Sequence, residues 1–298
     1  MKSKMEQSYQ DDVIILCDEL VKIYMSDGLK VMALQGLDLE VRRGEMLAII
    51  GKSGSGKSTL LNMIGGLENP TAGRLVICGK DMAAYTDKEL TAYRKKTVGF
   101  VWQKSSRNLF PFLTAKDNVE MPMLFMKRTP AQRSARAMEL LEMVGMAKYA
   151  DKFPGQLSGG EQQRIAIAVA LAGEPEILLA DEPTGAVDSK TSDNIFDLFT
   201  RLNREMGITI IIVTHDTNLA KKVDRVVSIS DGKIGTEKLR NVMSENSFAD
   251  ELEGQTEFSV LDKAHRVQLT DEVLEAAGIN SNRVRVHVED GKVVIEQE

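Results

Sequence analysis

Cysteine is scarce in this chain. Only Cys17 and Cys78 occur among 298 residues, each in an apolar, strand-like stretch. That argues against a disulfide framework, and both thiols are expected as small hydrophobes in the interior rather than as metal or redox groups. Long hydrophobic runs are missing as well: none approaches the roughly 18 residues that cross a bilayer. The opening Met1-Lys2-Ser3-Lys4-Met5-Glu6-Gln7 has no hydrophobic signal core. Together these absences predict a chain that stays in the cytosol. Positive charge is not in excess either. A formal net charge of -6 argues against broad binding to nucleic acid, although it leaves room for a local basic phosphate site. What the chain does have is 43% apolar residues, enough for the full core of one large domain beside a small one.

One stretch organises the rest. Gly51-Lys52-Ser53-Gly54-Ser55-Gly56-Lys57-Ser58 follows the apolar run Met46 to Ile50 and precedes the helix-prone Thr59-Leu60-Leu61. This is the phosphate-loop pattern G-x-x-x-x-G-K-[ST] in a strand, loop, helix context. Its glycines let backbone N–H groups converge on phosphate oxygens, and the next helix aims its positive end at them. Lys57 adds a point charge, and the Ser58 hydroxyl can ligate Mg²⁺. A Ser/Gly linker is the bland alternative, and the flanking strand and helix disfavour it.

Upstream, Val13 to Leu16 and Val21 to Tyr24 read as strand, and Leu37-Asp38-Leu39-Glu40-Val41 alternates like a half-buried one. An antiparallel sheet ahead of a parallel core is expected. Tyr24, at a strand end before Ser26-Asp27-Gly28, is able either to stack on a purine or simply to pack. Downstream, Leu75 to Cys78 and Val98 to Trp102 read as strands, the second delivering Gln103. That amide can offer its carbonyl to Mg²⁺ or to an attacking water, or be an ordinary loop residue. From Lys104 to about Lys152 the pattern turns helical, with Ala135, Met138, Leu140, Leu141 and Val144 near helical spacing. Met121, Met123, Met126, Met138 and Met143 are expected to fill a core or an adaptable docking surface.

Ser158-Gly159-Gly160-Glu161 stands at the start of a helical run, Ile165 to Ala172. It reads both as a capping box, with Glu161 three residues after Ser158, and as an anion site. Ile177 to Ala180 is a buried parallel strand that delivers Asp181 and Glu182 to its carboxyl end, where ligands of open α/β sheets collect. Asp181 suits the Mg²⁺ shell, and Glu182 suits polarisation of a water for attack on a terminal phosphate. Asp188 precedes a helix from Ser189 to Glu205, and the strand Ile208 to Thr214 ends at His215, placed for a phosphate contact. Val226 to Ile229 and the Asp231-Gly232 turn close the core.

Beyond it the composition changes. Glu237 to Gln255 is polar and acidic, a linker or a loosely packed helix. Residues 258–298 suggest a small unit. It has a strand near Arg266 to Leu269, a helix Asp271 to Ala277 capped by Thr270, and a hairpin at Asp290-Gly291 that puts Val284, Val286 and Val288 on one face. So few residues bury too little surface to stand alone, so this unit is expected to dock on the main domain or to dimerise.

In their order, the phosphate loop, Gln103, Leu157 to Glu161, Asp181-Glu182, Ala186-Val187-Asp188-Ser189 and His215 resemble the ATP-binding subunits of ABC transporters, over about residues 12 to 235. Phe100 to Gln103, Asn108 to Val119 and Ala180 to Ala186 are similar to the branch serving macrolide efflux, lipoprotein release and antimicrobial-peptide resistance. The resemblance implies an α/β fold with a RecA-like P-loop NTPase core, an N-terminal antiparallel β subdomain and a helical insert at about 104–172, plus the small C-terminal α+β unit. It implies domain limits of 1–10 for a flexible start, 11–236 for the cassette, 237–257 for the linker and 258–298 for the tail.

ATP and Mg²⁺ are the implied cofactors. Tyr24 would stack on adenine, and Gly51 to Thr59 would hold phosphates together with Ser158, Gly159, Gly160 and Glu161 of a second copy in a head-to-tail homodimer. Ser58, Gln103 and Asp181 would attend the metal, while Glu182, His215 and Gln103 would serve catalysis. A separate membrane permease would dock on the helical insert and the Gln103 loop, leaving the chain peripheral on the cytoplasmic face of the cell membrane. Two departures stand out: Glu161 in place of the commoner glutamine, and Val169 where these ATPases usually carry arginine. The tail resembles, more weakly, swapped-hairpin units of AbrB-like regulators, but its five basic against eight acidic residues do not favour DNA. A soluble ABC ATPase acting on nucleic acid or ribosomes is the alternative; the long coiled coil or second cassette usual there is absent.

Overall fold

The computed structural model describes residues 12–26, 28–185, 187–216, 220, 222–240, 255–263, 265–281 and 283–297. The expected flexible start at 1–10, Ala186 and most of the linker, residues 241–254, lie outside the described residues.

A seven-stranded sheet forms the spine. Its order is β11 (Gln255–Ser259), β10 (Lys233–Arg240), β9 (Arg225–Ser230), β3 (Met46–Ile50), β8 (Thr209–Val213), β7 (Ile177–Asp181) and β6 (Val98–Val101). From β9 to β6 every neighbour pair is parallel. Parallel strands covered on both faces need apolar residues at every position, which explains the uninterrupted runs. Alternate side chains divide between two cores. Leu47, Ile49, Ile177, Leu179, Ile211 and Val213 belong to one. Ala48, Leu178, Ala180, Ile210 and Ile212 belong to the other.

The first core is capped by α1 (Lys57–Ile64) and a four-stranded sheet in the order β2 (Leu29–Arg42), β1 (Val13–Ser26), β4 (Ala72–Ile77), β5 (Lys80–Asp81). All its pairs are antiparallel, as the alternation ahead of the phosphate loop predicts. Cys17 is buried in this core, and burial pushes its thiol up to about 12. Cys78 falls just past β4 rather than within it, at a positive φ of 51°. α2 (Asp87–Lys96) adds the buried Tyr93, whose hydroxyl donates to the Ile64 carbonyl.

The second core carries the helical insert: α3 (Ala115–Glu120), α4 (Pro130–Met143) and α5 (Gly159–Leu171), joined by loops and short 3₁₀ turns. Of the expected positions on and just after α4, Leu140, Leu141 and Val144 are fully buried and Met138 packs on the core half-buried, whereas Ala135 is exposed and Ala137 is buried in its stead. Met123 is fully buried, and Met126, Met138 and Met143 pack on this core. Val169, where the resemblance leads one to expect arginine, also packs on this core. α6 (Ser189–Met206) lies across the same face through Ile195, Phe196, Phe199 and Leu202, spaced by three and four. Asp188 caps its start by accepting from Thr191 N–H, and Gly207 at φ 64° ends it.

The expected linker at 237–257 is corrected at both ends. Glu237 to Arg240 continue β10, and Gln255 to Glu257 begin β11, which pairs with β10 from Thr236↔Ser259 to Arg240↔Gln255. A polar sequence makes an edge strand when the backbone of a neighbour offers its ladder. The expected strand near Arg266 to Leu269 reduces to one bridge, Leu261↔Val267. Thr270 does cap a short helix, α7 (Asp271–Ala276), and the hairpin forms as β12 (Val284–Glu289) against β13 (Lys292–Gln297). Its turn residues Asp290 and Gly291 both have positive φ, the backbone a tight two-residue turn requires.

Candidate nucleotide site

The phosphate loop leaves β3 and enters α1 through Gly56, whose φ of 106° is left-handed and whose missing Cβ would lie 2.5 Å from the Ala33 carbonyl oxygen. Only glycine satisfies both conditions. No side chain caps α1 and no carboxylate occupies its first turn, so its leading N–H groups are open to an anion. Lys57 folds back instead, its Nζ donating to the carbonyls of Gly51 at 2.8 Å and Lys52 at 2.9 Å. Burial lowers its pKa, and Glu182 and Asp181 oppose that shift. The buried Ser55 hydroxyl has no hydrogen-bond partner among the described residues. A cradle with an orphaned hydroxyl, open amides and a desolvated lysine fits a polyphosphate.

Across a cleft of about 420 Å³ stand the carboxyl ends of the neighbouring strands. Asp181 ends β7 and accepts from the Ser58 hydroxyl at 3.2 Å. Burial raises its pKa, while Ser58 pulls the other way. Glu182 follows at a φ of 47°, in the left-handed region, pinned there by its N–H donating to the Val213 carbonyl at 2.9 Å. Its carboxylate meets His215 Nδ1 at 2.8 Å. Gln103 reaches the same cleft, its amide nitrogen 2.8 Å from where Gly185 would carry a Cβ. The hard oxygens of Ser58, Asp181 and Gln103 suit Mg²⁺, which usually arrives with a phosphate and keeps several waters rather than filling an all-protein cage.

Gly51, Ser53, Gly54, Gly56, Lys57, Ser58, Thr59, Gln103, Asp181, Glu182 and His215 therefore share one cleft. Tyr24 stands beside it. Its hydroxyl bonds Glu68 at 2.5 Å and approaches the Thr59 hydroxyl at 3.5 Å. Lys52 points elsewhere, 92% exposed, toward Asp271 of the tail at 3.8 Å. Ser158, Gly159, Gly160 and Glu161 do not line the cleft at all. Ser158 caps α5, and Glu161 returns its carboxylate to the Ser158 N–H and hydroxyl, both at 2.8 Å. That backbone hydrogen bond holds Glu161 below the usual carboxylate range.

Several neighbours escaped sequence reasoning. Ala33 and Val213 line the cleft as backbone and methyl surface, with no chemistry to flag them. At Gly160 a Cβ would lie 2.4 Å from Thr191 Cγ2 and would force that side chain to move, so the exposed start of α5 sits close against the start of α6. Asn118, buried at 1%, was legible only as part of a motif. Its amide holds the carbonyls of Phe110, Leu113 and Thr114, and so fixes a loop that exposes Phe112. Larger than the phosphate cleft is a groove of about 890 Å³ between α2 and the segment 125–128, lined by Lys88, Lys95, Phe125 and Arg128. Its charged lining is mostly cationic, and its carboxylate Glu174 is paired with Arg128 at 2.8 Å, whereas the smaller cleft joins a phosphate loop to the carboxylates of Asp181 and Glu182.

Comparison with known proteins agrees with this geometry. The sequence profile of the ABC transporter family matches residues 34–185, just over half of the chain. YknY of Bacillus subtilis (strain 168), described as an uncharacterised ABC transporter ATP-binding protein, is 48% identical over 201 residues, 67% of this chain and 86% of that protein. The bacterial ABC transporter cassette MJ0796, solved as a dimer, superposes with a TM-score of 0.70 at 43% identity, over 76% of this chain and 98% of its own. A second dimeric structure of it, bound to ADP and Pi in a post-hydrolysis state, gives 0.70 at 42% over the same shares. CbiO1 of Clostridium perfringens, part of the cbiONQ transporter complex, gives 0.69 at 33%, over 75% of this chain and 87% of its own. A RecA-like core with an antiparallel sheet, a phosphate loop and these relatives identify the chain as a member of the ABC transporter family, an ATP-hydrolysing subunit that uses ATP with Mg²⁺.

Proposed function

We propose that two copies of this chain close head to tail on two ATP molecules and that the closing motion drives a separate membrane permease. The observation that carries this reading is a division of labour. One exposed cleft holds Lys57, Ser58, Asp181 and Glu182, while Ser158 and Gly159 lie exposed at the start of α5 outside it. Exposed N–H groups at a helix start favour phosphate, so the α5 end of one copy completes the cleft of the other. Gly51 to Thr59 grip the phosphates, and Tyr24 stacks on the adenine. Ser58, Asp181 and Gln103 would hold Mg²⁺, which would supply neutralisation of phosphate charge. Glu182 takes a proton from the attacking water, and His215 senses the γ-phosphate while orienting Glu182. ATP favours the closed dimer because it contacts both copies, and hydrolysis removes the γ-phosphate contacts.

The permease contact is assigned to the helical insert. Phe112, Leu124 and Phe125 are 71%, 52% and 66% exposed there, and Phe125 also lines the lysine-rich groove. Exposed apolar side chains with cations beside one of them suit a short amphipathic segment with acidic residues. Among the described residues no helix is long and apolar enough to cross a membrane. The chain is accordingly read as a peripheral subunit on the cytoplasmic face, serving export or mechanotransmission of a peptide, drug or lipoprotein. Action on nucleic acid or ribosomes is not favoured by the transporter relatives.

The deciding experiment follows closure, as protection of the segment at Ser158 and Gly159 from hydrogen exchange, together with phosphate release. With ATP and Mg²⁺, Glu182→Gln should accumulate a closed dimer and release almost no phosphate, while Lys57→Ala should not bind ATP. Phosphate release by Glu182→Gln at the parent rate would remove Glu182 as the base. Failure of Phe112→Glu with Phe125→Glu to weaken co-purification with the permease encoded beside the gene would remove the docking assignment.

A further inference from the structure

The tail ends in a two-stranded sheet whose faces differ. In register, Val284, Val286 and Val288 of β12 stand with Val293, Ile295 and the uncharged Gln297 of β13 on one side. Arg285, His287, Glu289, Lys292 and Glu296 stand on the other, with Val294 among them. The valines are 42%, 60%, 72% and 69% exposed in chain order. An isolated hairpin is marginal in water, and exposed β-branched residues aligned on one face are what a partner surface removes from solvent. The rest of the tail is anchored elsewhere: β11 pairs with β10, Lys263 bonds Asp18 and Asp38 of the antiparallel sheet, and Gln268 donates to the Ser230 hydroxyl at 3.1 Å. These anchors leave the valine face free.

We infer that this valine face pairs with the same face of a second copy, joining two chains by a contact that does not need nucleotide. The face carries no charge, so a twofold-related copy covers it without desolvating any ion, and a self-complementary patch is what such symmetry demands. Charge excludes the other candidates. Residues 258–298 hold five basic and eight acidic side chains, the wrong balance for an anionic bilayer or nucleic acid. A second copy is at hand, since the matched cassettes are dimers. Two chains already joined at their tails meet at their nucleotide clefts as an intramolecular event, so closure no longer depends on protein concentration.

The test uses the full chain without nucleotide, in the presence of a chelator, so it is independent of the ATP-dependent sandwich. Sedimentation should show a dimer for the parent and a monomer for Val286→Glu with Val288→Glu. Specific ATPase activity of the parent should hold constant on dilution by about 100-fold, whereas that of the double variant should fall with dilution and recover on concentration. Because the glutamates could unfold the hairpin, single cysteines provide a second reading. Val288→Cys should form an interchain disulfide in the nucleotide-free protein, and His287→Cys, on the opposite face, should not. A monomeric nucleotide-free parent, a double variant that stays dimeric, equal cross-linking from both faces, or a monomer that instead co-sediments with anionic vesicles would each overturn the proposal. None of those results would alter the reading of the ATP site, which rests on phosphate release.

Discussion

The central sheet and the terminal hairpin are both made of β-branched residues, yet they stand at opposite extremes of burial. Every residue of β8 is buried, and its alternate side chains feed two separate cores. In β12 every residue is exposed or half-exposed, and the apolar ones are among the most exposed in the molecule. The contrast teaches that strand-forming composition does not say how a strand is stabilised. β8 is held by helices and a second sheet from distant parts of its own chain. The hairpin has only its cross-strand pairs and awaits a surface from outside.

That difference can be broken or sharpened by substitution. Glu182→Gln, at the carboxyl edge of the rigid sheet, should lower phosphate release by about 10²- to 10⁴-fold, the range of a lost general base. Chemical denaturation should show no comparable loss of stability. Phe196→Ala, which empties a fully buried site on α6, should cost about 3–5 kcal/mol in a denaturant titration. Ser158→Ala removes a cap from α5 and should cost about 1 kcal/mol of global stability in the same titration, besides any loss of turnover. Thr270→Ala removes the equivalent cap from α7 in the tail, and should leave the global midpoint unmoved. Its effect should appear only as faster hydrogen exchange over residues 271–279, because the tail opens as its own unit. A global midpoint shift for Thr270→Ala as large as for Ser158→Ala would show that core and tail unfold together.

Much of the cassette was legible because its signals are local. Uninterrupted runs such as Ile177 to Ala180 read as buried parallel strands, and a polar or acidic residue directly after such a run is carried to the sheet edge. The phosphate loop is likewise a contiguous string whose glycines answer to its own backbone geometry. Less legible were features created by chain segments far apart. Nothing near Gly160 in sequence announces Thr191, and nothing near Gly185 announces Gln103. The polar stretch at Glu237 reads as linker until β9 and β11 are seen to sandwich it. On α4 the spacing identified the helix and most of its buried face, Leu140, Leu141 and Val144, but took Ala135 for Ala137 at its edge, where the packing of neighbouring helices decides.

By itself the sequence determined the element types of the core, the order in which the phosphate loop, Gln103, Asp181-Glu182 and His215 follow successive strands, and the terminal hairpin. Those properties follow from periodicity, run length and backbone preference, all of which act within a few residues. Tertiary structure alone decided that Ser58 meets Asp181, that Glu182 meets His215, that the α5 start stays outside the cleft, and that the valines of the tail face solvent. Each of these depends on long-range packing, where the winning arrangement is the one that buries the most apolar surface without stranding a polar group.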